Sequence, residues 1–83
     1  MTTAKYIRTK NYEIIVFSDL QQHKDFKHFD PVSAGFITFD YKMVEGSPEV
    51  TCNCYGESES LGLKSDEEKD SRLARRQILG QEN

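Results

Sequence analysis

The sequence predicts an α+β domain: an antiparallel sheet of four or five strands, a short helix after the first hairpin, and a carboxy-terminal helix packed on one face. Three observations carry this expectation. Apolar and polar residues alternate over positions 36–43 and again over 50–55, the two-residue period of strands. Gly46 and Pro48 stand between those runs, where a turn needs them. The last segment begins with Ser65 and Glu68 at capping-box spacing and ends at Gly80, which marks the start and stop of a helix.

Taken in order, residues 5–8 and 12–17 read as two short strands joined around Thr9, Lys10 and Asn11. Ile14-Ile15-Val16-Phe17 is an unbroken apolar run, which predicts a central strand covered on both faces. Ser18 and Gln21 repeat the capping-box spacing, so a short helix is expected to begin at Asp19, with Leu20, His23, Phe26 and Lys27 on one side. Asp30 before Pro31 ends it, because a residue before proline avoids helical geometry. Residues 31–35 then serve as a connection. In the long hairpin, Ile37, Phe39, Tyr41 and Met43 share one face, and Val50, Cys52 and Cys54 share one face of the return strand. Gly56 offers a bend before a further strand over 58–63, in which Leu61 and Leu63 share a side.

The final helix is expected over 66–79. Asp66, Glu67, Glu68 and Asp70 fill its front half and Arg72, Arg75 and Arg76 its back half, an order that complements the helix dipole. Glu68 and Arg72 add an i,i+4 pair. At about 100° per residue, Arg72, Arg75 and Arg76 fall within one third of the circumference, with Leu79 projecting toward them. Leu73, Ala74, Gln77 and Ile78 occupy the opposite side. Residues 1–80 form one domain and Gln81-Glu82-Asn83 a frayed tail.

Composition narrows the function classes. Eighty-three residues support one modest core and leave little room for a deep dry cavity, which favours a binding module over an enzyme. A net charge of −3 has the wrong sign for general DNA binding. No run approaches the apolar length that spans a bilayer, and the first ten residues lack an apolar signal core. Two cysteines without such a signal fit a reduced cytoplasm.

Several chemistries can be weighed on spacing. Cys52 and Cys54 sit two apart and His23 and His28 five apart, a poor match to the knuckles of structural zinc sites, so no metal is expected. Cys54 with a histidine and Asp30 can be named as a triad, but no helix amino terminus follows the cysteine to activate its thiol. Gly62-Leu63-Lys64-Ser65 lacks the glycine that should precede the lysine of a phosphate loop. No cofactor is expected. The arginine stripe is the sharpest pattern. It reads either as the wet side of an amphipathic helix or as a contact patch of Arg72, Arg75, Arg76 and Leu79 for an acidic partner surface or phosphate.

The tracts Phe29-Asp30-Pro31-Val32-Ser33-Ala34-Gly35-Phe36, Cys54-Tyr55-Gly56-Glu57-Ser58 and Arg76-Gln77-Ile78-Leu79-Gly80 resemble tracts of small uncharacterised proteins of bacterial phages, plasmids and related mobile elements. The resemblance implies a bacterial cytoplasmic setting and a role in binding host machinery. The expected function is therefore a non-enzymatic protein-interaction module, an accessory or inhibitory factor of a mobile element. Its partner is an unidentified protein, and an exposed sheet edge gives a route to a homodimer. The alternative is a small nucleic-acid binder using the same arginines, with Tyr6, Tyr12 or Tyr41 as stacking platforms.

Overall fold

Strands β1 (Thr2–Thr9) and β2 (Ile14–Phe17) open the chain as an antiparallel hairpin, with Lys5 opposite Phe17 and Arg8 opposite Ile14. Thr9 organises the turn: its carbonyl accepts the Tyr12 N–H, and its hydroxyl accepts those of Asn11 and Glu13. Tyr12 closes it in the left-handed region at φ 65°. The computed structural model describes residues 2–80; Met1 and the expected tail of Gln81, Glu82 and Asn83 lie outside the described residues.

Strand β3 (Pro31–Val44) pairs with β1 on one side and β4 (Ser47–Tyr55) on the other, giving the antiparallel order β2-β1-β3-β4. The expected connection over 31–35 is thus strand, because Ser33, Ala34 and Gly35 pair with Arg8, Ile7 and Tyr6. Gly35 is required there, since a Cβ would lie 2.3 Å from the Tyr55 carbonyl oxygen. The hairpin turn is tighter than expected. Glu45 and Gly46 form it alone, at φ 51° and 79°. Pro48 falls inside β4 opposite Met43, tolerated because an edge strand needs no outward donor.

β2 is an edge strand, not the central one its apolar run predicted. The run is nevertheless used on both faces: Ile14 packs toward one cluster, Ile15 and Phe17 toward the other. Periodicity reports which faces are covered, and strand order is decided by β3 choosing β1 as its neighbour.

One face of the sheet is covered by a 3-10 helix (His23–Phe29) and a small hairpin of β5 (Glu57–Ser58) and β6 (Leu63–Lys64). Together they close over Ile7, Phe17 and Ala34, with Phe26, Leu61 and Leu63 packed against that cluster. The 3-10 helix starts four residues later than expected. The Ser18 hydroxyl accepts the Leu20 N–H in a turn, and Gln22 with Asp25 caps the helix instead. Leu20 consequently stays 91% exposed. The strand expected over 58–63 is broken by a turn in which the Gly62 N–H donates to the Glu59 carbonyl, leaving two short strands as a second sheet.

The other face is covered by α1 (Glu67–Leu79). Asp66, rather than Ser65, is its N-cap and accepts the Lys69 N–H, while the Ser65 hydroxyl donates to the Gly56 carbonyl. Gly80 is the expected left-handed cap at φ 67°, its N–H donating to the Arg75 carbonyl. Ala74 lies among Tyr6, Ile37, Cys52 and Cys54, all buried. Among the described residues no helix is long and apolar enough to cross a membrane.

Candidate interaction surface

The inner flank of α1 is held by polar groups. Tyr6 and Arg8 lie on the same parity of β1, Ser33 lies opposite Arg8 on β3, and all three point at Asp70. Asp70 is fully buried. Its Oδ2 accepts from the Tyr6 hydroxyl (2.5 Å), the Ser33 hydroxyl (2.7 Å) and the Asp66 backbone N–H (3.1 Å). Its Oδ1 lies 2.6 Å from Arg8 Nε, but the Nε–H donates to Ser33 Oγ, so that oxygen is held by charge and takes no hydrogen bond among the described residues. Burial, with the Asp70 hydrogen bond second, pushes the Tyr6 hydroxyl well above the ordinary tyrosine range. The network fixes where α1 sits on the sheet. Its charge is internal and closed to solvent.

Two further flanks of α1 reach the sheet's edges. On β4, the Ser71 hydroxyl accepts the Cys54 N–H at 2.8 Å, and Arg75 donates from Nε to the Cys52 carbonyl (3.1 Å) and from Nη2 to Asn53 Oδ1 (2.7 Å). On β2, the Gln77 carboxamide accepts the Ile14 N–H and donates to the Tyr12 carbonyl. The expected contact residues therefore divide. Arg72 and Arg76 stand in solvent, Arg72 with only a 3.4 Å approach to Glu68. Arg75 is drawn inward to β4, and Leu79 packs against the core cluster at the helix end instead of projecting beside the arginines. Lys69 takes a place on the outer side, its ammonium 4.9 Å from the Tyr12 ring centre. Of the side expected inward, Ala74 is buried and Leu73 half-buried, while Gln77 reaches the β2 backbone and Ile78 stands 41% exposed. Asp70 and Ser71 were not anticipated there.

The second exposed feature is the far half of the long hairpin. Among the described residues β1 pairs with β3 as far as Thr2 opposite Phe39, and residues 40–44 and 47–51 pair with each other. They form a two-stranded arm of five cross-strand pairs, about 17 Å long. Tyr41 opposite Val50 and Met43 opposite Pro48 share the parity that α1 covers nearer the core. On the arm Tyr41 is 65% and Met43 58% exposed, the Tyr41 hydroxyl donating to the Met43 sulfur at 3.1 Å. The other parity carries Asp40, Lys42 and Glu49, with Lys42 opposite Glu49. Sequence alternation detected the arm's strands but not that they outrun their neighbour.

The remaining candidates are chemically quiet. Cys52 and Cys54 are buried free thiols under α1. Burial raises both; Cys54, with Asp70 as the second cause, is pushed up to about 12 and stays protonated at neutral pH, a poor nucleophile. His23 lies on the opposite face, between Phe17 and Phe36, its Nε2–H donating to the Gly35 carbonyl. The sheet thus separates the cysteines from His23, which excludes the Cys2His2 set and the Cys54–His23 pairing. A shallow cleft of about 310 Å³ between β4 and α1 is lined by Asn53, Tyr55, Glu67, Glu68 and Arg75, with Arg75 already bonded to β4.

No protein-family model matches this chain. No curated protein matches it, and no solved structure does.

Proposed function

We propose that this chain is a non-enzymatic protein-binding module, an accessory or inhibitory factor working in a bacterial cytoplasm, which holds its partner through the β3–β4 arm and the outer side of α1. The observation that supports this most is the arm: a folded two-stranded ribbon that presents Tyr41 and Met43 to solvent. Exposed aromatic and methionine side chains on a fixed backbone suit a contact surface, because the tyrosine offers a large amphipathic face and the flexible methionine adapts to the surface it meets. Arg72 and Arg76 add a charged flank on a helix whose opposite side is locked to the sheet. The nucleic-acid alternative has less to stand on. Tyr6 is buried and the Tyr12 ring already has Lys69 and Arg8 beside it, which leaves Tyr41 for stacking.

The test compares three tagged baits in bacterial lysate: the natural chain, Tyr41→Ser with Met43→Ser, and Arg72→Ala with Arg76→Ala. The proposal expects a specific protein retained by the first, lost by the second and weakened by the third, with circular dichroism unchanged. Retention that ignores both variants overturns it. Retention of RNA or DNA that falls steeply with salt and depends on the arginines overturns it in favour of phosphate binding.

A further inference from the structure

We infer that Met43 is a reversible oxidation site, at which the Tyr41 hydroxyl selects one of the two sulfoxide epimers and oxidation switches off the arm's contact surface.

Tyr41 and Met43 are two apart on β3, so their side chains stand on the same face as neighbours along the strand. The Tyr41 hydroxyl donates to the Met43 sulfur at 3.1 Å. Directly across the ribbon from Met43 lies Pro48, which has no N–H to offer. The Met43 side chain is 58% exposed and lies outside both core clusters.

A thioether needs no deprotonation to act as a nucleophile, whereas a thiol reacts as its thiolate. The two thiols of this chain are closed to that route at neutral pH. Cys52 and Cys54 are buried under α1, and burial, with Asp70 as the second cause, pushes Cys54 up to about 12. A hydroperoxide therefore meets Met43 before either cysteine. A sulfur lone pair attacks the terminal peroxide oxygen, an S–O bond forms and the O–O bond breaks. Sulfur gives up two electrons, and the departing oxygen takes up the proton, leaving as water when the oxidant is hydrogen peroxide. A sulfoxide reductase reverses the step, two thiols supplying the electrons and becoming a disulfide as water is released.

A thioether sulfur carries two lone pairs, and attack through one or the other gives opposite epimers. Tyr41 engages one of them, so oxygen is delivered to the other. The product replaces a flexible apolar side chain by a polar one in the middle of the exposed face. Because Met43 lies outside the core clusters, oxidation alters the surface and leaves the domain folded. Its consequence for a partner rests on the contact reading above.

The test applies hydrogen peroxide at neutral pH to the natural chain, folded and in urea, and to Tyr41→Phe and Met43→Leu. Fragment masses locate the added oxygen, and the two stereospecific sulfoxide reductases, each restoring one epimer, give the epimer ratio. The folded natural chain is expected to be oxidised at Met43 with both cysteines intact. One epimer should be in about threefold excess, the size that a single hydrogen bond in water supports. Tyr41→Phe, which keeps the ring, and the chain in urea are expected to give equal epimers. As lysate baits, the oxidised natural chain should retain about tenfold less partner, while Met43→Leu is indifferent to peroxide and circular dichroism is unchanged throughout. Equal epimers in the folded natural chain, an excess that survives Tyr41→Phe, or cysteine oxidation ahead of Met43 overturn the site. Retention indifferent to oxidation overturns the switch. An untreated bait that retains nothing fails the contact reading, and the epimer ratio still decides the oxidation site.

Discussion

The two halves of the sheet face that α1 adjoins differ in what they carry and in how it is covered. Near the core, α1 encloses a polar group of Asp70, Ser71, Ser33 and Arg8 alongside the apolar cluster of Tyr6, Ile37, Cys52 and Ala74. On the arm, the same parity carries Tyr41 and Met43, 65% and 58% exposed. A polar junction of this kind is directional. It sets one position for the helix, and it tolerates loss of a member badly, since a buried charge left unpaired is costly. An apolar ribbon in water gains little from its own fold, and two-stranded ribbons are marginal alone. The proposed function takes the covered half as architecture and the open half as the contact surface.

Removing Asp70 should strain that contrast most. Asp70→Ala leaves Arg8 buried without its counter-charge and is expected to cost about 3–5 kcal/mol in urea denaturation, a large part of a small domain's stability. A loss below about 1 kcal/mol would mean that the junction is ornamental to folding.

Alkaline pH attacks the same half more gradually. Cys54 keeps its proton in the fold up to about 12, against an ordinary 9.0, for burial first and Asp70 second. Above pH 9 the unfolded chain has lost a proton that the folded chain retains, so stability is intact below that value and falls as pH climbs toward 12. Denaturation from about pH 8 to about pH 11 should show a decline on the order of 1 kcal/mol per pH unit, and Cys54→Ala should flatten its early part. A decline identical in that variant would assign it elsewhere.

Arg75→Ala should come next, at about 1 kcal/mol in thermal melts, from the lost bonds to Cys52 and Asn53. Arg76→Ala, which loses only solvent contacts, should stay within about 0.5 kcal/mol. Equal effects would remove the distinction between the inward and outward arginines. The arm pair should match Arg76→Ala: Tyr41→Ser with Met43→Ser should change stability by less than about 0.5 kcal/mol while abolishing partner retention.

How much of this was legible depends on which forces act locally. Alternation over 36–43 and 50–55 is imposed by the pleat, so the hairpin was readable, as was a final helix stopping at Gly80, although Asp66 caps it and not the Ser65 whose spacing with Glu68 marked its start. The order of strands is a choice between partners, and the run Ile14-Ile15-Val16-Phe17 says nothing about which edge stays open. Asp70 sits on the helix side shared by Ala74 and Gln77. An acid there signals a buried partner, but Tyr6 and Arg8 become that partner only through the register of β1 with β3. Arg75 lies on the flank, close enough to reach β4, and on a wheel it is indistinguishable from Arg72 and Arg76. The alternation that continues into Tyr41 and Met43 is the same whether or not a third strand lies beside it.

Residue-by-residue amide hydrogen exchange of the native chain tests the division of the face most directly. Tyr6, Ile7 and Ile37 should exchange only through global unfolding, while the paired amides of residues 41–49 open locally and exchange at least about 100-fold faster. Protection as high on the arm as at Ile37 would contradict it, since the arm would then be part of the core's cooperative unit and not a ribbon held ready for a partner.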